Sequence, residues 1–122
     1  MTLSELVRNE ELYQRVMRIK ESVPEFQKIN TEHFSPQMIY IGENHRKVLD
    51  IPSSDIAQVH WEAPYLLGIW FSDEFFKLQI AESIEVIVHE LFHVSIDQER
   101  HTKKFEAKVE ALVNEVRKAA QI

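Results

Sequence analysis

His89-Glu90-Leu91-Phe92-His93 puts two imidazoles four residues apart, with a carboxylate next to the first. On a helix, side chains four apart leave the same face one turn above the other, so both rings can bind one cation. Glu90, one residue on from His89, leaves the helix beside that cation. From there a carboxylate can take a proton from a metal-bound water without being a ligand itself. The residue types predict a Zn2+ site, with His89 and His93 as metal ligands and Glu90 as general base.

The pattern around the motif predicts a helix. Ile80, Ile84, Ile87, Leu91 and Val94 recur at spacings of three and four, and Val86, Val88, Phe92 and Ile96 widen the stripe. A helix apolar on most of its circumference lies in the middle of a domain. His89, Glu90 and His93 are then polar groups in an apolar setting, costly unless a metal or hydrogen bonds satisfy them. The competing reading is a buried helix that contains two hydrogen-bonded core histidines.

Catalytic zinc takes three protein ligands and keeps one position open for water. His101 is the nearest further histidine. Eight residues past His93 on an unbroken helix is about 12 Å of rise, too far for a shared ion. The chain must therefore leave the helix between about Val94 and Arg100, through Asp97-Gln98-Glu99-Arg100, and turn back. Glu106 and Glu110 are the acidic alternatives, as in sites built from two His and one Glu. Both are also natural solvent-facing positions.

Composition bounds the rest. A chain of 122 residues, 44% hydrophobic and 28% charged, is expected to form one soluble domain (1–122) with its own core. With no cysteine there is no disulfide framework, thiol nucleophile or thiolate metal site, which leaves imidazoles and carboxylates as ligands. A net charge of -6 argues against non-specific nucleic-acid binding by this domain alone. The chain opens on no apolar leader and has no apolar run of membrane-spanning length. The expectation is a cytoplasmic protein with a protein or peptide substrate and no membrane partner.

The elements that must position the motif follow in order. Residues 3–21 read as an amphipathic helix with Leu3, Leu6, Val7, Tyr13, Val16 and Met17 on its apolar stripe, and with Glu11 and Arg15 paired four apart. A helical turn is expected around Phe26 and Ile29. Residues 37–42 predict a first strand stopped by Gly42, and Val48-Leu49-Asp50-Ile51 a further short one. Residues 56–63 alternate, with Ala57, Val59, Trp61 and Ala63 on one face and Gln58, His60 and Glu62 on the other. The apolar run 66–71 predicts a more buried strand in which Gly68 marks a bulge or a close backbone approach. Ser72-Asp73-Glu74 gives a capped turn into the motif helix. Thr102 is an N-cap for a last helix with Phe105, Val109, Leu112, Val113 and Val116 as its core stripe.

This arrangement resembles the SprT-like metallopeptidases and the small metallopeptidases of phages. The matching pieces are Ile69-Trp70-Phe71-Ser72, His89-Glu90-Leu91-Phe92-His93, and His101 with Phe105. Many SprT-like members have Gly after the last His, where this chain has Thr102. The resemblance implies a minimal α+β zincin: N-terminal helix, about three strands, buried motif helix and C-terminal helix. It implies His89, His93 and His101 as zinc ligands and Glu90 as catalyst of peptide-bond hydrolysis. It also implies an edge strand that pairs with the substrate backbone. The alternative function is a metal-binding interaction protein with a vestigial site, and hydrolysis of a non-peptide amide is a third. His60 and Glu62 are candidate cleft residues that read first as an ordinary strand surface, and Tyr65, just after Pro64, is a candidate phenol donor to a developing oxyanion. His33 and His45 read as surface histidines. The basic group Arg100, Lys103, Lys104 and Lys108 reads first as a solvated face and second as an anion-facing patch.

Overall fold

Strand β1 (Ile39–Ile41), strand β2 (Ala57–Glu62) and strand β3 (Tyr65–Phe71) form a mixed sheet in the order β1-β3-β2. The computed structural model describes residues 3–29, 39–42, 46–47, 51, 55–62, 65–96 and 102–120. Within these the helices are α1 (Leu3–Ser22), α2 (Pro24–Gln27), α3 (Ile80–Ile96) and α4 (Lys103–Ala120), with a 3-10 turn at Asp73–Lys77. The fold class is α+β, as the sequence predicts.

Central position explains the unbroken apolar run of β3, whose two edges both bond to neighbours. It pairs parallel with β1 (Ile39↔Ile69, Ile41↔Phe71) and antiparallel with β2 (Ala57↔Phe71, Val59↔Ile69). Ile39, Ile41, Ile69, Phe71, Ala57 and Val59 therefore share one face, which joins the apolar core. On the other face Trp70 is fully buried, its indole N–H donates to the Gly42 carbonyl at 3.0 Å, and the Arg46 guanidinium stacks 4.6 Å from its ring centre. Gly42 ends β1 at φ 91°, a conformation that favours glycine. The register slips between His60, opposite Gly68, and Trp61, opposite Leu66, so Leu67 is the extra residue of a bulge. Gly68, at φ 153°, supplies the backbone freedom the bulge needs.

All helices pack on the core face. Phe26 of α2, Ile84, Ile87, Val88 and Leu91 of α3, and all five predicted core residues of α4 are buried in one cluster. Each such side chain contributes roughly 1.5–3 kcal/mol by leaving water. Helix α1 spans the predicted residues, and Val16, Tyr13 and Met17 of its predicted stripe face the core, but its first turns do not. Leu12, Val16 and Ile19 are its apolar core residues and Tyr13 and Met17 are half-buried, while Leu3, Leu6 and Val7 are exposed. Two three-four-spaced stripes compete on this helix. The one that wins carries Asn9 with it, whose side-chain amide donates to the Ile39 carbonyl at 2.7 Å and ties α1 to β1. Arg15 reaches the Ser83 hydroxyl at 3.4 Å on α3. Of the expected strand at 48–51, only Ile51 is described, and it is buried.

Capping fixes where the last two helices are aimed. Ser72 caps the 3-10 turn, its hydroxyl accepting from the Phe75 amide at 3.3 Å. Helix α3 is described as far as Ile96, and the predicted break through residues 97–100 lies outside the described residues. Thr102 opens α4, its hydroxyl accepting from the Phe105 amide at 3.0 Å. Replacing Thr102 by Ala is expected to lower unfolding free energy by about 1 kcal/mol, read as a lower urea midpoint, with Thr102→Ser close to wild type. Equal midpoints for Ala and Ser would remove the cap from the account.

Candidate metal centre

Helix α3 presents its polar groups on the side facing β2 and α4. His89 is half-buried, His93 is 8% exposed and Glu90 is 7% exposed. The two Nε2 atoms face each other at 3.1 Å. Two zinc–nitrogen bonds of about 2.0–2.1 Å meeting at a tetrahedral corner hold their nitrogens roughly 3.3 Å apart, so the pair fits a shared ion with a small adjustment. The same distance also fits one N–H···N hydrogen bond between neutral rings.

Phe105, at the start of α4, braces both imidazoles. Its ring centre lies 5.2 Å from that of His89, edge-on, and 4.6 Å from that of His93, tilted. Phe92 closes the stack from the neighbouring position of α3, at 4.9 Å. The far end of α3 is fastened by Ser95, whose hydroxyl donates to the Glu25 carboxylate at 2.8 Å. Burial pushes the Glu25 carboxyl up. Hydrogen bonds from Lys28 and Ser95 and the charges of Lys28 and Lys108 outweigh this and hold it below its ordinary value. Lys108 of the predicted basic group is exposed and contributes to this lowering by its charge alone.

Glu90 belongs to the sheet as much as to its helix. Burial pushes its carboxyl up to about 8, against a hydrogen bond from the Val59 amide of β2, and the negative charge of Asp55 raises it further. Neither Val59 nor Asp55 stands out in the sequence, because a strand amide carries no side-chain signal and Asp55 precedes the alternating run.

His89 and Glu90 open onto a cleft of about 910 Å³ between the start of β2, α3 and α4. Asp55, Glu85, Glu106 and Glu110 line it, against one cation, Arg117, which is tied to Glu85 at 3.3 Å. A cleft lined by one sign of charge concentrates the opposite sign, here cations. Glu106 and Glu110, the acidic alternatives for the third ligand, are exposed in the cleft wall. Among the described residues, no group of three His, Asp or Glu stands close enough to hold a metal. His101 lies outside the described residues, as do His33, His45 and Arg100 and the side chains of His60, Glu62 and Tyr65. The structure thus brings the His89 and His93 rings together, sets His89 and Glu90 in one cleft wall, and seats Lys103, Lys104 and Lys108 on the exposed side of α4.

Compared with known proteins, the chain matches no family model, no curated protein and no solved structure.

The raised Glu90 carboxyl links metal-free stability to pH. Between the ordinary carboxyl value and about 8 the folded chain holds a proton that the unfolded chain has lost, so stability falls as pH rises across that window. The cost is absent below the unfolded value and reaches at most about 5 kcal/mol above the folded one. In chelator, Glu90→Gln is expected to melt higher than wild type at pH 8.5, with the gap closing toward pH 4.5. A gap that does not change with pH would show that the carboxyl titrates normally.

Proposed function

We propose that this chain is a zinc-dependent metallopeptidase, with His89 and His93 as ligands, His101 as the third ligand and Glu90 as general base. The observation that carries the reading is the 3.1 Å approach of the two Nε2 atoms, with His89 and the buried Glu90 both lining an open cleft. When bound, the ion supplies Lewis acidity that makes water a nucleophile near neutral pH. His89 and His93 hold it from one rigid helix face, and Phe105 keeps both rings from turning. Glu90 accepts the proton of the attacking water and returns it to the leaving amine. A cation beside this carboxyl favours its charged form, which opposes the effect of burial.

A peptide substrate is favoured by the wall of the cleft. The Ser72 amide donates to the Ile56 carbonyl, so by antiparallel alternation the amides and carbonyls of Ala57 and Val59 point away from β3. Ala57 lines the cleft, and β2 is the edge of the sheet on that side. An extended peptide can add there as a further strand along the cleft that His89 lines. The Val59 amide is already engaged by Glu90. That contact favours the second reading, a metal-binding interaction protein without turnover, in which the carboxyl is a structural tie rather than a base.

The two readings part on one variant. Purified wild type is expected to carry close to one zinc per chain and to cleave a generic peptide library until a chelator is added. Glu90→Gln is expected to keep the zinc and lose cleavage by at least about a thousandfold. His93→Ala and His101→Ala are expected to lose the metal, seen by metal analysis and by loss of the Co2+ absorption bands of the substituted protein. Zinc retained by His101→Ala would remove that residue from the ligand set, and cleavage retained by Glu90→Gln would refute the base.

A further inference from the structure

The charge of the cleft is uneven, and its weight lies toward the histidine end. Helices α3 and α4 run antiparallel along it: Arg117 meets Glu85 at 3.3 Å at one end, and Phe105 lies against His89 and His93 at the other. Arg117 also donates to the Ala81 carbonyl at 3.3 Å, so this cation of the wall is engaged within the fold. Glu106 and Glu110 follow Phe105 on α4, one turn apart, which puts both carboxylates on the flank that lines the cleft. Both are exposed, and among the described residues neither makes an ion pair. Asp55 adds a carboxylate from the β2 side. The Gln58 amide donates to that carboxylate at 3.3 Å, and the Arg46 guanidinium holds the Asp55 carbonyl at 3.1 Å. Between these charges the lining is aliphatic, with Val86 of α3 and Val109 and Val113 of α4.

We propose that this cleft takes a lysine or arginine side chain of a peptide substrate, and that Glu106 and Glu110 select it. The proposal rests on the peptidase reading for the cleavage that follows, and on the cleft alone for the binding. A peptide added along β2 is extended, with alternate side chains turned to the cleft roughly 7 Å apart. Glu106 and Glu110 are separated by roughly 6 Å along α4, so a long side chain entering there comes within reach of both. Lysine and arginine suit the two parts of the lining at once. Their methylenes lie along Val86, Val109 and Val113, and their charged heads reach the carboxylates. Like charges one turn apart on a helix repel, and a cation seated between them removes that penalty. Among the described residues no three such groups converge closely enough for a metal, so the matching cation is one on a long stem. An acidic side chain at the same place is repelled by Asp55, Glu106 and Glu110 together.

Fluorescence anisotropy of labelled peptides on the full chain in chelator reads the binding step without metal or turnover. An alanine-based peptide with one central arginine is compared with its citrulline counterpart, which keeps the shape and loses the charge. Wild type is expected to bind the arginine peptide about tenfold tighter, a preference that shrinks in half-molar salt. E106Q with E110Q is expected to keep the circular-dichroism spectrum of wild type and to bind the two peptides alike. E110R is expected to favour a glutamate peptide instead, a gain that a misfolded variant could not show. With zinc present, the arginine preference is expected again in kcat/KM. A zinc-loaded chain that binds the arginine peptide selectively and cleaves nothing refutes the peptidase reading and supports this one. A chain that cleaves both peptides equally does the reverse. Equal binding of the two peptides by wild type, binding of neither, or a preference kept by the double variant overturns the proposal.

Discussion

Polar groups on a buried helix must be satisfied where they stand, and α3 is the element on which that requirement falls hardest. Ile84, Ile87, Val88, Leu91 and Phe92 bury most of its circumference, which leaves Glu90 and His93 little access to water and His89 half-buried. An unpaired carboxylate or imidazole in such a setting costs more than one apolar neighbour returns. The chain answers locally. The imidazoles turn their Nε2 atoms to each other, and Glu90 takes an amide from β2. The sheet, the cleft and the aim of α4 follow from holding these three groups in place.

Each support comes from a different part of the chain. The β2 edge supplies the Val59 amide, and the first turn of α4 supplies Phe105 through the Thr102 cap. The Glu25–Ser95 contact pins the end of α3 against α2. The result is a pair of ring nitrogens on one rigid helix beside an acidic cleft. The same 3.1 Å approach serves a shared cation or one N–H···N hydrogen bond between the rings.

The sequence is most legible where burial is one-sided. Helix α4 has one wet face, and its periodicity names the buried residues correctly. Gly68 is legible as a bulge because glycine is scarce in this chain, with only two in all. Helix α1 misleads because both of its faces carry apolar residues at helical spacing. Leu12 and Ile19 win through the side-chain bond from Asn9 to β1, a non-local contact without a local pattern. Strand order is hidden for the same reason: β1 joins β3 in parallel across the whole intervening chain. In the site, the histidine spacing is legible because one helix fixes it. The amide that binds Glu90 is not, since main-chain groups look alike in every residue.

The sealing of Trp70 on the far face of the sheet gives the molecule a built-in optical probe. Its indole has no exposed surface, its N–H is bound to the Gly42 carbonyl, and Arg46 lies over the ring. A chromophore so enclosed fluoresces toward the blue and is shielded from dissolved quenchers while β1 stays attached to β3. Loosening of that strand would uncover the ring and redden its emission, so with the other tryptophan, Trp61, replaced by Phe, light can follow the opening of the sheet separately from events at the histidine pair.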